Sequence, residues 1–432
     1  VRVLVVGGGG REHALCWALH ADDPTTTLFA APGNPGTAAL ATNLAVAATD
    51  LDGLAAAART NRIDLVVVGP EAPLAAGLVD RLRASGCPTF GPTAAAARIE
   101  SSKAFAKDVM IRAGVPTAAS RVFTALGPAL NHIAHHAEPL VVKASGLAAG
   151  KGAVVCATRD EAAAVARAML EGRSLGEAGR EIVVEAYLEG EELSILALTD
   201  GERHLLLPGA QDHKRLGEGD TGPNTGGMGA YCPVGVATPA LLERVRREVL
   251  GPTLAELARR GCSYSGVLYA GLMIGADGTP WVLEFNCRFG DPETQVLLPV
   301  LPRGSTAHFA AIAGDTWRPD STALAASRAA VTTVLAARGY PDRPERGAVI
   351  SLPREPGDGV LVFHAGTARD PDGTLRVAGG RVLNVTALAP TVREAAAASR
   401  AACEQIQFDG KTWRRDIAWR EIDRSGGRAG AA

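Results

Sequence analysis

The stretch Trp281-Val282-Leu283-Glu284-Phe285-Asn286-Cys287-Arg288-Phe289-Gly290-Asp291-Pro292-Glu293-Thr294-Gln295 governs the reading of this chain. Leu283 and Phe285 alternate with Glu284, Asn286 and Arg288, the period of a half-buried strand. Such a strand projects its three polar side chains from one face, neighbours roughly 7 Å apart. A carboxylate and an amide oxygen so placed can hold one hard divalent cation. Arg288, at the end of the row, offers a planar fork to a carboxylate. Gly290-Asp291-Pro292 then turns the chain, and Glu293 adds another acid. An ordinary edge strand with a polar outer face would carry the same pattern. Just upstream, the strand-like run 266–274 and the Asp277-Gly278 turn make the stretch one arm of an antiparallel hairpin.

At the other end of the chain, Val-Arg-Val-Leu-Val-Val enters four glycines and then a helix from Arg11. A helix N-terminus after a glycine turn is a ready anion site. The dinucleotide fingerprint fails, because Glu12 or His13 stands where its last glycine belongs, and no acid ends the next strand, 28–31. Further strands at 64–68 and 89–90 alternate with helical segments, and Glu71 follows the first of them. Residues 1–102 therefore read as a doubly wound parallel α/β domain with its loops at the carboxyl ends of the strands.

A helix starts at Ser101-Ser102-Lys103 and stops at Gly114. A buried strand then ends in Lys143, and Gly146, Gly150, Lys151 and Gly152 punctuate the turn into a second strand. The P-loop pattern fails here, but a glycine-rich turn between two strands can fold over a triphosphate. Lys143 and Glu185, each at a strand end, are suited to clamp a nucleotide between two sheets. The segment 211–231 lacks periodicity and carries Asp212, Lys214 and a glycine run, which reads as a substrate loop with Asp212 and Lys214 as candidate catalytic groups. Its run Asn224-Thr225-Gly226-Gly227-Met228 lies on the substrate side, with Met228 better suited to packing than to ligation. After about residue 325, short strands and one helix indicate a separate α+β domain, and 425–432 reads as a disordered tail.

Bulk composition narrows the class. A chain of 432 residues with net charge −2 is long enough for several domains and has no basic footprint for nucleic acid. No apolar run approaches the ~20 residues of a membrane span, and the apolar start 3–6 is too short for a signal peptide. Seven scattered cysteines without C-x-x-C argue against a disulfide framework or a zinc site and for the cytoplasm. Only six lysines stand against thirty-eight arginines, so a retained lysine points to a need for a compact ammonium. Lys107 and Lys411 are read as chance retentions.

Taken together, Gly9-Gly10-Arg11-Glu12-His13-Ala14, Val68-Gly69-Pro70-Glu71-Ala72-Pro73-Leu74, the 146–152 turn, the 211–231 loop and Arg288-Phe289-Gly290-Asp291-Pro292-Glu293 closely resemble the glycinamide ribonucleotide synthetases, ATP-grasp enzymes of purine biosynthesis. The resemblance is collinear from residue 1 to about 424. It implies an N-terminal domain (1–102) on the phosphoribosylamine side and an ATP-grasp body (103–122 and 192–325). It further implies an inserted lid (123–191) and a C-terminal domain (326–424). The implied reaction joins glycine to 5-phosphoribosylamine through a glycyl phosphate, at the expense of ATP and with Mg2+ or Mn2+.

Residue by residue, the resemblance makes Lys103 and Lys143 the phosphate lysines, with Gly146, Gly150, Lys151 and Gly152 over the nucleotide. Glu185, Tyr187 and Leu188 become the adenine hinge and Glu192 the ribose acid. Glu284 and Asn286 become the metal pair, with no third acid because Gly271 occupies its place. Arg288 would bind the carboxylate undergoing activation, while Gly9, Gly10, Arg11, Glu71, Asp291 and Glu293 would face phosphoribosylamine or glycine. The sequence departs from the family at Gly8 (usually Asn), Ser145 (usually Asp) and Val1 (usually Met). Two rivals stay open: another ATP-grasp carboxylate–amine ligase, and a nucleotide-binding protein without turnover. Transient contact with neighbouring purine-pathway enzymes is also compatible.

Overall fold

The computed structural model describes residues 1–148, 150–172 and 174–428. Ala149 of the glycine-rich turn lies outside them. The first strand, Arg2–Gly7, is buried along its length from Val3 onward, as a parallel strand covered on both faces requires. It occupies the centre of a five-stranded sheet ordered Thr42–Asn43, Thr27–Pro32, Arg2–Gly7, Leu65–Val68, Thr89–Phe90, with every pairing parallel. Strand order reverses beside Arg2–Gly7. The glycine turn and Glu71 therefore share the carboxyl end of the sheet, where open α/β folds take ligands.

A second sheet is antiparallel and runs His204–Leu206, Glu191–Thr199, Gly266–Ile274, Pro280–Asn286. A third, ordered Ser120–Phe123, Ile182–Ala186, Leu140–Ala144, Ala153–Cys156, is also antiparallel and carries the helices Leu126–Ala134 and Arg159–Leu170. This lid sheet begins at Ser120, slightly before the expected lid boundary.

The fourth major sheet alters the expected partition. Its order is Gln211–Asp212, Gly229–Cys232, Ala329–Ala336, Arg381–Ala389, Val360–His364, with the helix Val392–Gln405 packed on it. The segment 211–231, expected as irregular loop of the central body, thus supplies two strands to the C-terminal sheet and a hairpin, Arg215–Gly217 with Thr221–Asn224. Its partners lie about a hundred residues downstream (Gly229 opposite Thr333), so no local pattern could announce them. Residues 425–428, expected in a disordered tail, belong instead to the helix Trp419–Arg428. Residues 429–432 lie outside the described part.

Leu4 and Val66 of the N-terminal sheet, Ile195 and Phe285 of the central sheet and Val331 of the C-terminal sheet pack into one apolar cluster. At about 1.5–3 kcal/mol per buried large aliphatic or aromatic side chain, this shared core binds three sheets into one body. The lid instead closes its own core from Ile133, Leu140, Val142, Ile182 and Val184. Its junction with the body is polar, and the candidate site lies there.

Candidate active site

Register within the hairpin decides where Glu284 points. Gly271 pairs with Glu284 and Leu272 with Val282, so Leu283 is an extra residue, a β-bulge. Val282 and Phe285 enter the core, while Leu283 is only half-buried. The simple alternation expected through Leu283 therefore breaks, and the Leu283 carbonyl accepts a hydrogen bond from Lys143 Nζ at 3.0 Å. Gly271, with no side chain, leaves Glu284 room across the strands. Burial opposes the Glu284 charge, but Lys214, Lys143, Lys103 and Arg288 outweigh it and hold the carboxyl below its usual range. Asn286 is buried two residues on. An ionised carboxylate and an amide oxygen fit Mg2+, which takes one or two carboxylates and completes its shell with phosphate and water. Among the described residues no group of three or more His, Cys, Asp or Glu could hold a metal by itself.

Three lysines, Lys103, Lys143 and Lys214, act on this carboxylate from separate segments, and a fourth, Lys107, follows Lys103 on its helix. The helix Lys103–Ala113 is capped by Ser102 Oγ, which accepts from Phe105 N, and by Ser145 Oγ, which accepts from Ala104 N. Lys103 Nζ reaches Gly146 O at 3.4 Å. Lys143 Nζ pairs with one oxygen of Glu185, and Lys107 Nζ holds the other at 2.6 Å. Lys143 and Glu185 thus sit side by side on neighbouring lid strands rather than facing each other across a nucleotide, and Lys107 is 4% exposed rather than a chance retention. Lys411 likewise has a task, donating to the carbonyls of Cys403 and Ile406 at the end of the Val392–Gln405 helix. Lys214 pairs with Glu192 at 2.9 Å. Burial pushes the Asp212 carboxyl up, and Glu293, Glu192 and Glu284 add to the push against the pull of Lys214.

Around the nucleotide-side turn, Gly146 presses on Ala178, leaving no space for a Cβ, and Gly150 adopts φ +79°, which favours glycine. A Cβ on Gly152 would meet Ala148. Lys151 points to the C-terminal domain, donating to Pro341 O at 3.3 Å with Asp342 nearby. Tyr187 is exposed and Leu188 half-buried in the connection between the lid strand Ile182–Ala186 and the body strand Glu191–Thr199.

The strand ends at Asn286, so Arg288 does not continue the polar row. It is held between Glu71 (Nε, 3.2 Å) and Glu100 (Nη2, 2.9 Å), with Nη1 on Phe289 O. Glu100 spends its second oxygen on the Cys287 amide at 2.7 Å. Burial raises the Glu100 carboxyl, Glu71 adding to this, while Arg288 opposes it. Arg11 donates to Glu12 at 2.6 Å and to Phe289 O, and Glu12 accepts from Gly9 N at 2.6 Å. Glu12 therefore takes one of the amides of the glycine turn that an anion would have used. Gly10 is buried because Asn384 and Gln295 fill the place of its side chain.

Beside this turn lies a cavity of about 400 Å³ lined by Gly8, Gly9, Asp291, Tyr340, Gly366 and Arg381. Arg381 pairs with Asp291 at 3.0 Å and donates to the carbonyls of Gly226 and Asp291, and Tyr340 Oη accepts from Gly226 N. Several expected substrate contacts turn inward instead. Glu293 is 3% exposed and accepts from Tyr269 Oη at 2.5 Å and from Ser194. Met228 is fully buried, Thr225 accepts from Gly227 N, and Pro292 packs where Gly227 would carry a side chain. Asn224 is exposed in the hairpin. A second cavity, about 360 Å³ and mainly apolar, lies beneath Trp17, Leu198, Leu298 and Phe309 and contains none of the charged groups of the site.

Three family models cover nearly the whole chain: phosphoribosylglycinamide synthetase N domain (residues 1–100), ATP-grasp (A) domain (101–294) and C domain (330–420). The chain belongs to the phosphoribosylglycinamide synthetase family. It is 47% identical over 432 residues to a phosphoribosylamine–glycine ligase of Agrobacterium fabrum, spanning 98% of this chain and 99% of the relative. An Escherichia coli K12 protein of the same name is 46% identical over 427 residues, with the same coverage. The crystal structure of a phosphoribosylamine–glycine ligase from Thermotoga maritima superposes with a TM-score of 0.86 at 35% identity, covering 97% of this chain and 100% of that one. A biotin carboxylase domain from Hydrogenobacter thermophilus, solved with MgADP, shares the fold at a TM-score of 0.72 and 17% identity, over 95% and 91% of the two chains.

In this member of the phosphoribosylglycinamide synthetase family, Glu100, Lys107, Arg381 and Arg414 escaped sequence reading. Glu100 carried a usable signal: it lies four residues after Ala96 on the buried face of the helix Ala94–Ser101, where an acid requires a partner. Arg414, 1% exposed, ties Asp220 (2.9 Å), Asp416 and Arg215 O together and anchors the hairpin to the C-terminal segment. Nothing local distinguished it among thirty-eight arginines.

Proposed function

We infer that this chain is a phosphoribosylamine–glycine ligase. ATP phosphorylates the glycine carboxylate, and the amine of 5-phosphoribosylamine displaces phosphate from the glycyl phosphate, giving glycinamide ribonucleotide, ADP and phosphate. Carboxylates are poor electrophiles, and an acyl phosphate divides one difficult step into two easier ones. The observation that carries this reading is Glu284, whose charge is favoured by Lys214, Lys143 and Lys103 from separate segments and by Arg288 four residues further on. Such fixed charges stabilise a transferring phosphoryl group without reorganisation.

In this reading Lys103, Lys143, Gly146, Gly150, Lys151 and Gly152 embrace the phosphates, Glu185, Tyr187 and Leu188 receive adenine, and Glu192 the ribose. Glu284 and Asn286 would hold Mg2+ or Mn2+, which when bound offsets charge on the phosphates. The free hydrogens of Arg288 would receive the glycine carboxylate. The 1–102 domain, with Gly9, Glu71 and the cavity beside Asp291, would receive phosphoribosylamine; Arg11 orients Glu12 and the glycine turn. Asp212 and Lys214 border the same centre from the C-terminal sheet. Seven unpaired cysteines support a cytoplasmic location, where transient contact with enzymes before and after it would protect the labile amine.

The test is ADP formation with glycine and phosphoribosylamine offered separately and together. Coupled product requires both. Turnover with a different carboxylate and amine would transfer the chain to another ligase activity, and nucleotide binding without turnover would make it a binding protein.

A further inference from the structure

Lys107 stands one helical turn after Lys103, on the same face of the helix Lys103–Ala113, yet it cannot do what Lys103 does. An ammonium has three hydrogens to donate. Lys107 donates to Thr117 Oγ1 at 2.7 Å and Ala118 O at 3.4 Å, and Glu185 Oε2 lies against its ammonium at 2.6 Å as an ion pair. Lys107 and Lys143 are almost equally covered, with side-chain exposures of 5% and 8%, so what separates them is the number of oxygens already around each ammonium. Lys143 differs. Its ammonium is matched by two oxygens, one of Glu185 and the Leu283 carbonyl, and one hydrogen remains.

We propose that Lys107 is a positioning residue for phosphoryl transfer: by taking half of the Glu185 carboxylate, it leaves Lys143 a surplus positive charge and a free hydrogen for ATP. The inference rests on the reading of Lys143 as a phosphate lysine. Two ammoniums and one carboxylate sum to a single positive charge, fixed where lid meets body. Without Lys107, Glu185 and Lys143 would neutralise one another in a buried setting where that pairing is strong. The same residue fixes the lid's entry. Thr117, which accepts from Lys107, itself donates to Val282 O at 2.9 Å on the strand that carries Glu284. Helix, lid strand and metal-side strand thus meet at one ammonium.

The test is a charge-restoring double variant. Lys107→Met should lower kcat/KM for ATP at least tenfold in glycine-dependent ADP formation. Adding Glu185→Gln to it returns the surplus positive charge to Lys143 and should recover at least threefold over the single variant. A lysine serving only as a structural bolt predicts the reverse, since the second substitution removes the remaining lid contact. Lys107→Gln, which keeps a donor for Thr117 but no charge, should match Lys107→Met and replaces it if the methionine variant does not fold. Lys143→Met is the control. If it keeps ATP turnover within threefold, the reading of Lys143 fails. If it loses turnover while the Lys107 variants stay within twofold of the parent, or the double variant shows no recovery, the proposal alone is overturned.

Discussion

Two ion clusters, the first buried and the second partly so, influence Glu284, and each is the charge inverse of the other. In one, the Glu185 carboxylate lies between Lys107 and Lys143; in the other, the Arg288 guanidinium lies between Glu71 and Glu100. The first has a surplus positive charge, the second a surplus negative one. Burying either arrangement costs desolvation that pairing does not reliably return, so stability alone is a weak reason for both. Their difference suits the two halves of the reaction. Phosphate oxygens need the positive cluster. In the proposed reaction, the ammonium of the amino acid and the attacking amine would fall to the negative one. Hardware differs accordingly: two compact ammoniums can be placed independently, whereas a single planar fork fixes two acids in one plane.

Glu284 feels both clusters, so removing its charge gives the largest expected effect. Glu284→Gln at saturating Mg2+ should lower glycine-dependent ADP formation by at least two orders of magnitude, about 2.7 kcal/mol. Its thermal melt should fall rather than rise, because Lys214, Lys143 and Lys103 lose the carboxylate among them. Near-normal turnover would remove Glu284 from the metal site.

Next comes the negative cluster. Arg288→Lys keeps the charge but cannot span Glu71 and Glu100 with separate nitrogens. Glycine kcat/KM should fall roughly tenfold to a hundredfold, about 1.4–2.7 kcal/mol, with KM for ATP within threefold. The opposite split, glycine unchanged and ATP binding lost, would assign Arg288 to phosphate and collapse the contrast between the clusters.

A third contact joins N- and C-terminal parts without charge. His13 Nδ1 accepts from the His364 amide at 2.9 Å, and burial holds both imidazoles low, His13 at about 3 and His364 at about 4. The unfolded chain then takes protons first as pH drops below about 6.5, so this stability is complete above that pH and is lost toward pH 4. Between pH 6.5 and 5.5 the loss should be about 1 kcal/mol per histidine. Urea unfolding of His13→Gln should show a shallower slope than the parent in that window, reduced by the share of one histidine among the several that burial holds low. An unchanged slope would place the titration in the charged clusters instead.

The smallest effect belongs to Ser145→Asp. Ser145 caps the Lys103 helix rather than shaping the tip of the lid turn, and an aspartate can accept the same Ala104 amide with a favourable charge at a helix N-terminus. KM for ATP should change less than tenfold. A hundredfold loss would mean that the positive cluster tolerates no added acid.

Legibility followed distance along the chain. Lys103, Lys143 and Glu284 could be singled out because strand ends, a glycine turn and a period-two pattern are local facts. Glu100 and Lys107 could not, because their value lies in partners on other elements: Glu100 meets the Cys287 amide 187 residues away. Even within the best-read strand, the bulge at Leu283 shifted the phase, since a bulge depends on the register of the facing strand Gly266–Ile274.

The sequence by itself determined the parallel N-terminal domain, the hairpin bearing Glu284 and Asn286, the glycine-rich turn after Lys143 and the collinear motifs that mark the family. Those follow from propensity, periodicity and composition over short windows. Only the tertiary structure decided which acid holds which cation, which glycines serve packing, and that 211–231 joins the C-terminal sheet. Arg288 and Glu71 stand 217 residues apart. A charge so distant has no local periodicity to declare its partner; it acquires one only when folding closes the loop between them and excludes the water that would otherwise screen the pair.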